Sequence, residues 1–257
     1  MANTPLVIAV AGKGGTGKTT FCGMLIRYLT DRGAKLLAVD ADPNSNLNEV
    51  LGIELPTSLG DIRETMAMRE LNGDAIPAGM TKAEYAEFMM GDALTEEDMF
   101  DLLVMGRTQG EGCYCYVNGV LKTQITRYSG AYDYIVVDNE AGLEHISRGT
   151  LPHIDILLYV SDASRRGIQA AGRVARMVVD LKLKPKQQGL IVNRAPNGKL
   201  DDGQMEEIEL QKLDLLGVLP QDENVYLYDA AGKPSADVPD DSAVKVAIRE
   251  LVEKLGL

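Results

Sequence analysis

Short apolar runs recur along the chain with helical patterns between them. Leu-Val-Ile-Ala-Val at 6–10, Lys-Leu-Leu-Ala-Val at 35–39 and Tyr-Ile-Val-Val at 134–137 read as strands. So do Ile-Leu-Leu-Tyr-Val at 156–160, Gly-Leu-Ile-Val at 189–192 and Leu-Leu-Gly-Val-Leu at 215–219. These runs are apolar at successive positions instead of alternating, which is what a parallel sheet covered by helices on both faces requires. Amphipathic helices fit residues 19–31, 168–181 and 243–255. Strands alternating with helices imply a doubly wound, mostly parallel α/β sheet. Residues 53–127 break the rhythm: they show no convincing buried strand, hold many of the methionines, and suggest helices at 82–90 and 95–105. The sequence predicts one domain over residues 1–257, with residues 53–127 as a helical insertion between two sheet strands. The acids Glu96, Glu97, Asp98 and Asp101 are expected on the first turn of an insertion helix, where negative charge is favoured.

Composition narrows the class. The chain has 257 residues, 45% hydrophobic and 25% charged, enough for a buried core. Its formal net charge of −12 supplies no global field for nucleic acid or an anionic membrane. Three cysteines cannot form a disulfide framework, and no stretch approaches the roughly 20 apolar residues needed to span a bilayer. The expectation is a cytoplasmic protein without nucleic-acid or membrane partners. The basic residues of 243–257 are offset by Glu250 and Glu253, which argues against a membrane-targeting end.

Gly12-Lys13-Gly14-Gly15-Thr16-Gly17-Lys18-Thr19-Thr20 follows the first strand and opens the first helix, satisfying G-x-x-x-x-G-K-[ST] in the required setting. Glycines let successive backbone N–H groups point inward as a nest for phosphate oxygens, and the helix N-terminus adds its positive end. Lys18 is placed to neutralise the β- and γ-phosphates and the Thr19 hydroxyl to meet Mg²⁺. Asp138 ends the strand at 134–137, where open parallel sheets bind ligands, although a turn-capping aspartate would also fit there. There is no Asn-Lys-x-Asp guanine signature, which favours ATP over GTP.

The second lysine of the loop, Lys13, is either a solvated charge or a functional group. Lys13-Gly14-Gly15-Thr16-Gly17-Lys18-Thr19 resembles the deviant Walker A loop of the MinD and ParA ATPases. That resemblance implies that Lys13 reaches across a nucleotide-sandwich homodimer to the partner's phosphates. Asp40-Ala41-Asp42-Pro43-Asn44 is similar to the family's D-x-D-P segment, implying that Asp42 activates the attacking water with Asp40 near the metal. Asp138-Asn139-Glu140-Ala141-Gly142 resembles the D-x-x-A-G segment, implying that Asp138 holds Mg²⁺ through water and Gly142 senses the γ-phosphate. By the same resemblance Asn193 and Arg194, and Pro220 and Asp222 one strand on, stand where the family contacts adenine.

Gly112-Cys113-Tyr114-Cys115-Tyr116-Val117-Asn118 is the most unusual stretch. In an extended segment, positions i and i+2 share a face, so both thiols could reach one ion. Thiolates suit Zn²⁺, Cu(I) and iron–sulfur iron, and Ni²⁺ in a square-planar set. One chain supplies only two ligands, and a symmetric dimer would supply four. Without further context a redox dithiol or an unliganded pair fits as well. The deviant loop combined with C-x-C resembles the CooC-type accessory ATPases. This implies a metal (Ni²⁺ or Zn²⁺) shared across the dimer by Cys113 and Cys115, and ATP-driven help with nickel insertion into carbon monoxide dehydrogenase or acetyl-CoA synthase. The histidine-rich metal store of that family is absent, since the chain has two histidines, His145 and His153. The competing readings are a MinD/ParA-type positioning or partitioning switch without metal cargo, and an iron–sulfur scaffold ATPase. Cys22 is expected in the core.

Overall fold

The computed structural model describes residues 4–54, 57–77, 79–107, 113–140, 151 and 153–257. Their strands are β1 (Leu6–Ala11), β2 (Leu36–Ala41), β3 (Leu94–Glu96), β4 (Phe100–Val104), β5 (Tyr134–Asn139), β6 (Ile156–Asp162), β7 (Gln187–Ala195) and β8 (Leu215–Pro220). They form one sheet in the order β3-β4-β2-β5-β1-β6-β7-β8, parallel throughout except for the β3–β4 pair. The helices are α1 (Lys18–Asp31), α2 (Leu47–Leu51), α3 (Leu59–Asn72), α4 (Lys82–Gly91), α5 (Cys113–Tyr128), α6 (Arg165–Asp180), α7 (Asp202–Leu210), α8 (Glu223–Ala230) and α9 (Ala243–Leu255).

The central strands are buried at nearly every position because each face has its own helical cover. Successive strand side chains point to opposite faces. Val7, Ala9, Leu37, Val39, Ile135 and Val137 therefore pack in one cluster with Ile62 of α3, Leu121 of α5 and Ile168 of α6. Ile8, Val10, Leu36, Ala38 and Val136 pack in the other with Phe21 and Leu25 of α1 and Ile248 of α9. The amphipathic face of α9 is thus committed to the core through Val244, Ile248, Leu251 and Val252. Among the described residues no helix is long and apolar enough to cross a membrane.

Two expectations about residues 53–127 are corrected. The stretch 95–105 is not a helix but most of the β3–β4 hairpin, and β4 is a buried strand running parallel to β2. Phe100, Leu102 and Val104 enter the α1-side core while Leu103 enters the opposite one, a two-sided burial that only a strand provides. Asp101 interrupts the apolar run, and the Tyr132 hydroxyl donates to its carboxylate. The acids Glu96, Glu97, Asp98 and Asp101 therefore belong to the hairpin and cap no helix. The helix expected at 82–90 is present as α4.

Candidate functional site

In a parallel sheet the loops leaving the C-terminal strand ends lie on one edge, and ligands gather there. The loop between β1 and α1 is shaped by glycines that approach other backbone closely. A Cβ on Gly12 (φ +153°) would lie 2.2 Å from the Val160 carbonyl oxygen of β6. Gly17 caps α1 in the left-handed region, φ +84°, and a Cβ there would meet the Asn193 amide at 2.4 Å. Inside the loop, the Thr16 hydroxyl donates to the Lys13 carbonyl at 2.9 Å and Lys18 Nζ reaches the same oxygen at 3.5 Å. Lys18 is 6% exposed, whereas Lys13 is exposed.

Asn193 and Arg194, at the end of β7, grip this loop from the side. Asn193 Nδ2 donates to the Thr16 carbonyl at 2.9 Å, and Arg194 Nη1 to the Gly15 carbonyl at 3.2 Å. Both also line a cavity of about 360 Å³ with Thr20, Phe21, Pro220 and Asp222. A wider cleft of about 900 Å³, lined by Gly14, Lys18, Thr19, Asp42 and Arg194 among others, shares Thr20 and Arg194 with it. The residues expected at the base are therefore brought together, with added structural duties. Asp222 caps α8 by accepting from Asn224 N at 2.9 Å and accepts from Val244 N at 3.1 Å, so both its oxygens are engaged.

Asp40 and Asp138 are the carboxylates expected near a metal. They are register partners on β2 and β5, and both are buried. Asp40 accepts from Asp42 N and Leu47 N, each at 3.0 Å. Burial, followed by the facing charge of Asp138, lifts its carboxyl to about 7. Burial lifts Asp138 to about 6, opposed by the Thr19 hydroxyl bonded to it and by the Lys18 charge. Asp138 Oδ1 is buried without a hydrogen-bond partner. An unpartnered buried carboxylate oxygen, a second carboxylate facing it and a threonine hydroxyl form an oxygen set that fits Mg²⁺. Cys22 is fully buried as expected, and burial together with the Asp138 charge pushes its thiol well up.

Asp42 lines the wider cleft, its Oδ1 accepting from Asn44 N at 2.9 Å and Asn44 Nδ2 at 3.1 Å. The sequence marked Asn44 only as part of its motif and missed Arg107, which donates to Asn44 Oδ1 at 2.5 Å. Asn139 was likewise marked only as part of its motif; its amide donates to the Val10 carbonyl at 3.0 Å and ties β5 to β1 beneath the loop.

Cys113 and Cys115 are the first and third residues of α5, which corrects the extended geometry expected for them. Among the described residues, no group of three or more His, Cys, Asp or Glu side chains is arranged to hold a metal ion. Gly142 and His145 lie outside the described residues. His153 instead sits 3.2 Å from Asp155, which also meets Lys186.

Residues 7–235 match the family model described as the CobQ/CobB/MinD/ParA nucleotide binding domain. An uncharacterized ATP-binding protein of Methanocaldococcus jannaschii is 40% identical over 252 residues, covering 97% of this chain and 98% of the other. The carbon monoxide dehydrogenase accessory protein CooC of Rhodospirillum rubrum is 30% identical over 256 residues, covering 90% and 89%. Among solved structures, the cell division ATPase MinD of Pyrococcus furiosus superposes with a TM-score of 0.70 at 25% identity, over 100% of this chain and 99% of that one.

Proposed function

The chain belongs to the CobQ/CobB/MinD/ParA nucleotide-binding family, and from that premise we propose that it is a Mg²⁺-dependent ATPase that dimerises around ATP to assist nickel insertion into a client metalloenzyme. The observation that carries the ATPase part is the division of labour between two lysines on one loop. Buried Lys18 is inside the phosphate nest, where its charge meets the β- and γ-phosphates of its own nucleotide. Exposed Lys13 has no ion-pair partner among the described residues, and its charge is available to a second subunit's nucleotide. Mg²⁺, when bound, neutralises developing charge on the phosphate oxygens. Thr19 and Asp138 hold it, Asp40 lies behind, and Asp42 takes the proton of the attacking water. Adenine occupies the cavity between Asn193–Arg194 and Pro220–Asp222.

The client assignment rests on the similarity to CooC over nearly the whole chain together with the C-x-C pair. Cys113 and Cys115 open α5, and the positive end of a helix favours an anion. Thiolate is the metal-binding form of cysteine. With one helix start from each subunit, ATP-bound dimers bring four thiols to one cargo ion, Ni²⁺ in function and Zn²⁺ as its competitor. The test is activation of nickel-free carbon monoxide dehydrogenase or acetyl-CoA synthase. With Ni²⁺ and this protein, ATP raises client activity several-fold over Ni²⁺ alone. ATP-dependent dimers with no gain in either client overturn the insertion role.

A further inference from the structure

Asp42 receives its hydrogen bonds on one oxygen. Oδ1 takes both the backbone and side-chain N–H groups of Asn44, at 2.9 and 3.1 Å, and among the described residues nothing donates to Oδ2. The remaining atom of the Asn44 amide, Oδ1, is 2.5 Å from Arg107 Nη2. The chemistry fixes this order. A guanidinium has donors only and an ionised carboxylate acceptors only, so an asparagine between them must turn its oxygen to arginine and its nitrogen to aspartate.

Arg107 is itself held in place by backbone that cannot slide. Met105 N donates to the Asp40 carbonyl at 2.8 Å, and Gly60 N donates to the Met105 carbonyl at 3.0 Å. A Cβ on Gly60 would stand 2.1 Å from the Arg107 carbonyl oxygen, so α3 comes this close only because residue 60 is glycine. Gly106 takes φ +69°, and a Cβ there would lie 2.1 Å from Ser58 Oγ, which belongs to the capping box of α3. Residues 105–107 are thus clamped between β2 and α3, and the arginine reaches back over the D-x-D-P loop from that clamp.

We propose that Arg107 is a positioning residue for ATP hydrolysis, acting through Asn44 to hold the Asp42 carboxylate with Oδ2 turned toward the attacking water. This rests on the reading of Asp42 as the general base. In the step it serves, the water oxygen bonds to the γ-phosphorus as a water proton passes to Asp42 Oδ2. The bond from phosphorus to the β,γ-bridging oxygen breaks, and its electron pair leaves with ADP. Arg107 touches none of these atoms. Its effect is geometric, so loss of the relay lowers kcat and leaves nucleotide affinity intact.

The experiment measures kcat, ATP affinity and melting temperature for the wild type, Arg107→Ala, Asn44→Ala, the double variant, Arg107→Lys and Asp42→Asn. Arg107→Ala should lower kcat about tenfold, the scale expected when a reacting group loses its alignment, with ATP affinity and melting temperature unchanged. The double variant should be no slower than Asn44→Ala alone, because the arginine works only through the amide. Arg107→Lys, which keeps a donor, should recover part of the rate. A wild-type rate in Arg107→Ala, or losses that multiply in the double variant, overturns the relay. If Asp42→Asn is inactive while Arg107→Ala is not slowed, the relay fails alone. Full activity in Asp42→Asn would remove the base assignment beneath it.

Discussion

Asp40 and Asp138 face each other as register partners on β2 and β5, both buried, with one Asp138 oxygen lacking a hydrogen bond. Two carboxylates so placed repel when both are ionised, and their free energy falls when a proton or a cation comes between them. The site is thereby poised for Mg²⁺, and without nucleotide and metal it is a source of instability.

That instability has a pH signature. The folded-state values, about 7 for Asp40 and about 6 for Asp138, lie above the free-group value of 3.8. Between roughly pH 4 and 7 the folded chain therefore binds more protons than the unfolded chain, so stability falls as pH rises through that window and then levels off. Melting temperatures in chelator, without nucleotide, should drop from pH 5 to pH 8. Asp138→Asn should partly flatten the profile, because residue 138 then no longer titrates and Asp40 loses the facing charge that adds to the effect of its burial.

Gly12→Ala should damage the loop from below. Its methyl group would meet the Val160 carbonyl at 2.2 Å, and backbone cannot rotate away as a flexible side chain can. Overpacking of this kind costs about 1–3 kcal/mol, so denaturation should show that loss together with weaker ATP binding. Gly14→Ala is the stability control: a Cβ there meets nothing within 4 Å, and the loss should stay below about 0.5 kcal/mol.

The two lysines should separate cleanly. Lys18→Ala removes the charge inside the nest and should abolish ATP binding in the isolated subunit. Lys13→Ala should bind ATP normally and fail to form the ATP-dependent dimer. Equilibrium binding alongside light scattering reads both effects, and equal ATP affinity losses in the two variants would refute the division.

Asn193→Ala tests the side grip on the loop. It removes the donor to the Thr16 carbonyl and opens space beside Gly17. One lost hydrogen bond of about 1 kcal/mol corresponds to roughly a fivefold weaker ATP affinity, measurable by calorimetry. Unchanged affinity would mean that the loop holds its shape without this contact.

The sheet was legible because its central strands are apolar at consecutive positions, a pattern that burial on both faces imposes. The phosphate loop was legible because few residues satisfy its glycine and lysine requirements. β4 was not: Asp101 broke the apolar run, and the acids before it imitated a helix start, while the tyrosine that satisfies Asp101 lies 31 residues away. The C-x-C pair was read as extended, since thiol chemistry says nothing of backbone, and it proved to open α5. Arg107 was illegible for a different reason. Its link to Asp42 runs through an asparagine 63 residues distant and depends on a glycine contact that only packing reveals.

The central claim joins nucleotide, dimer and metal, and one anaerobic experiment addresses all three. Ni²⁺ is titrated into the wild type and Cys113→Ser, with and without ATP, while light scattering follows mass. The account predicts one Ni²⁺ per ATP-bound dimer in the wild type, and loss of that ion in Cys113→Ser with ATP binding intact. ATP-driven dimers that bind no metal, or equal metal retention in Cys113→Ser, would contradict it and leave a nucleotide switch without metal cargo.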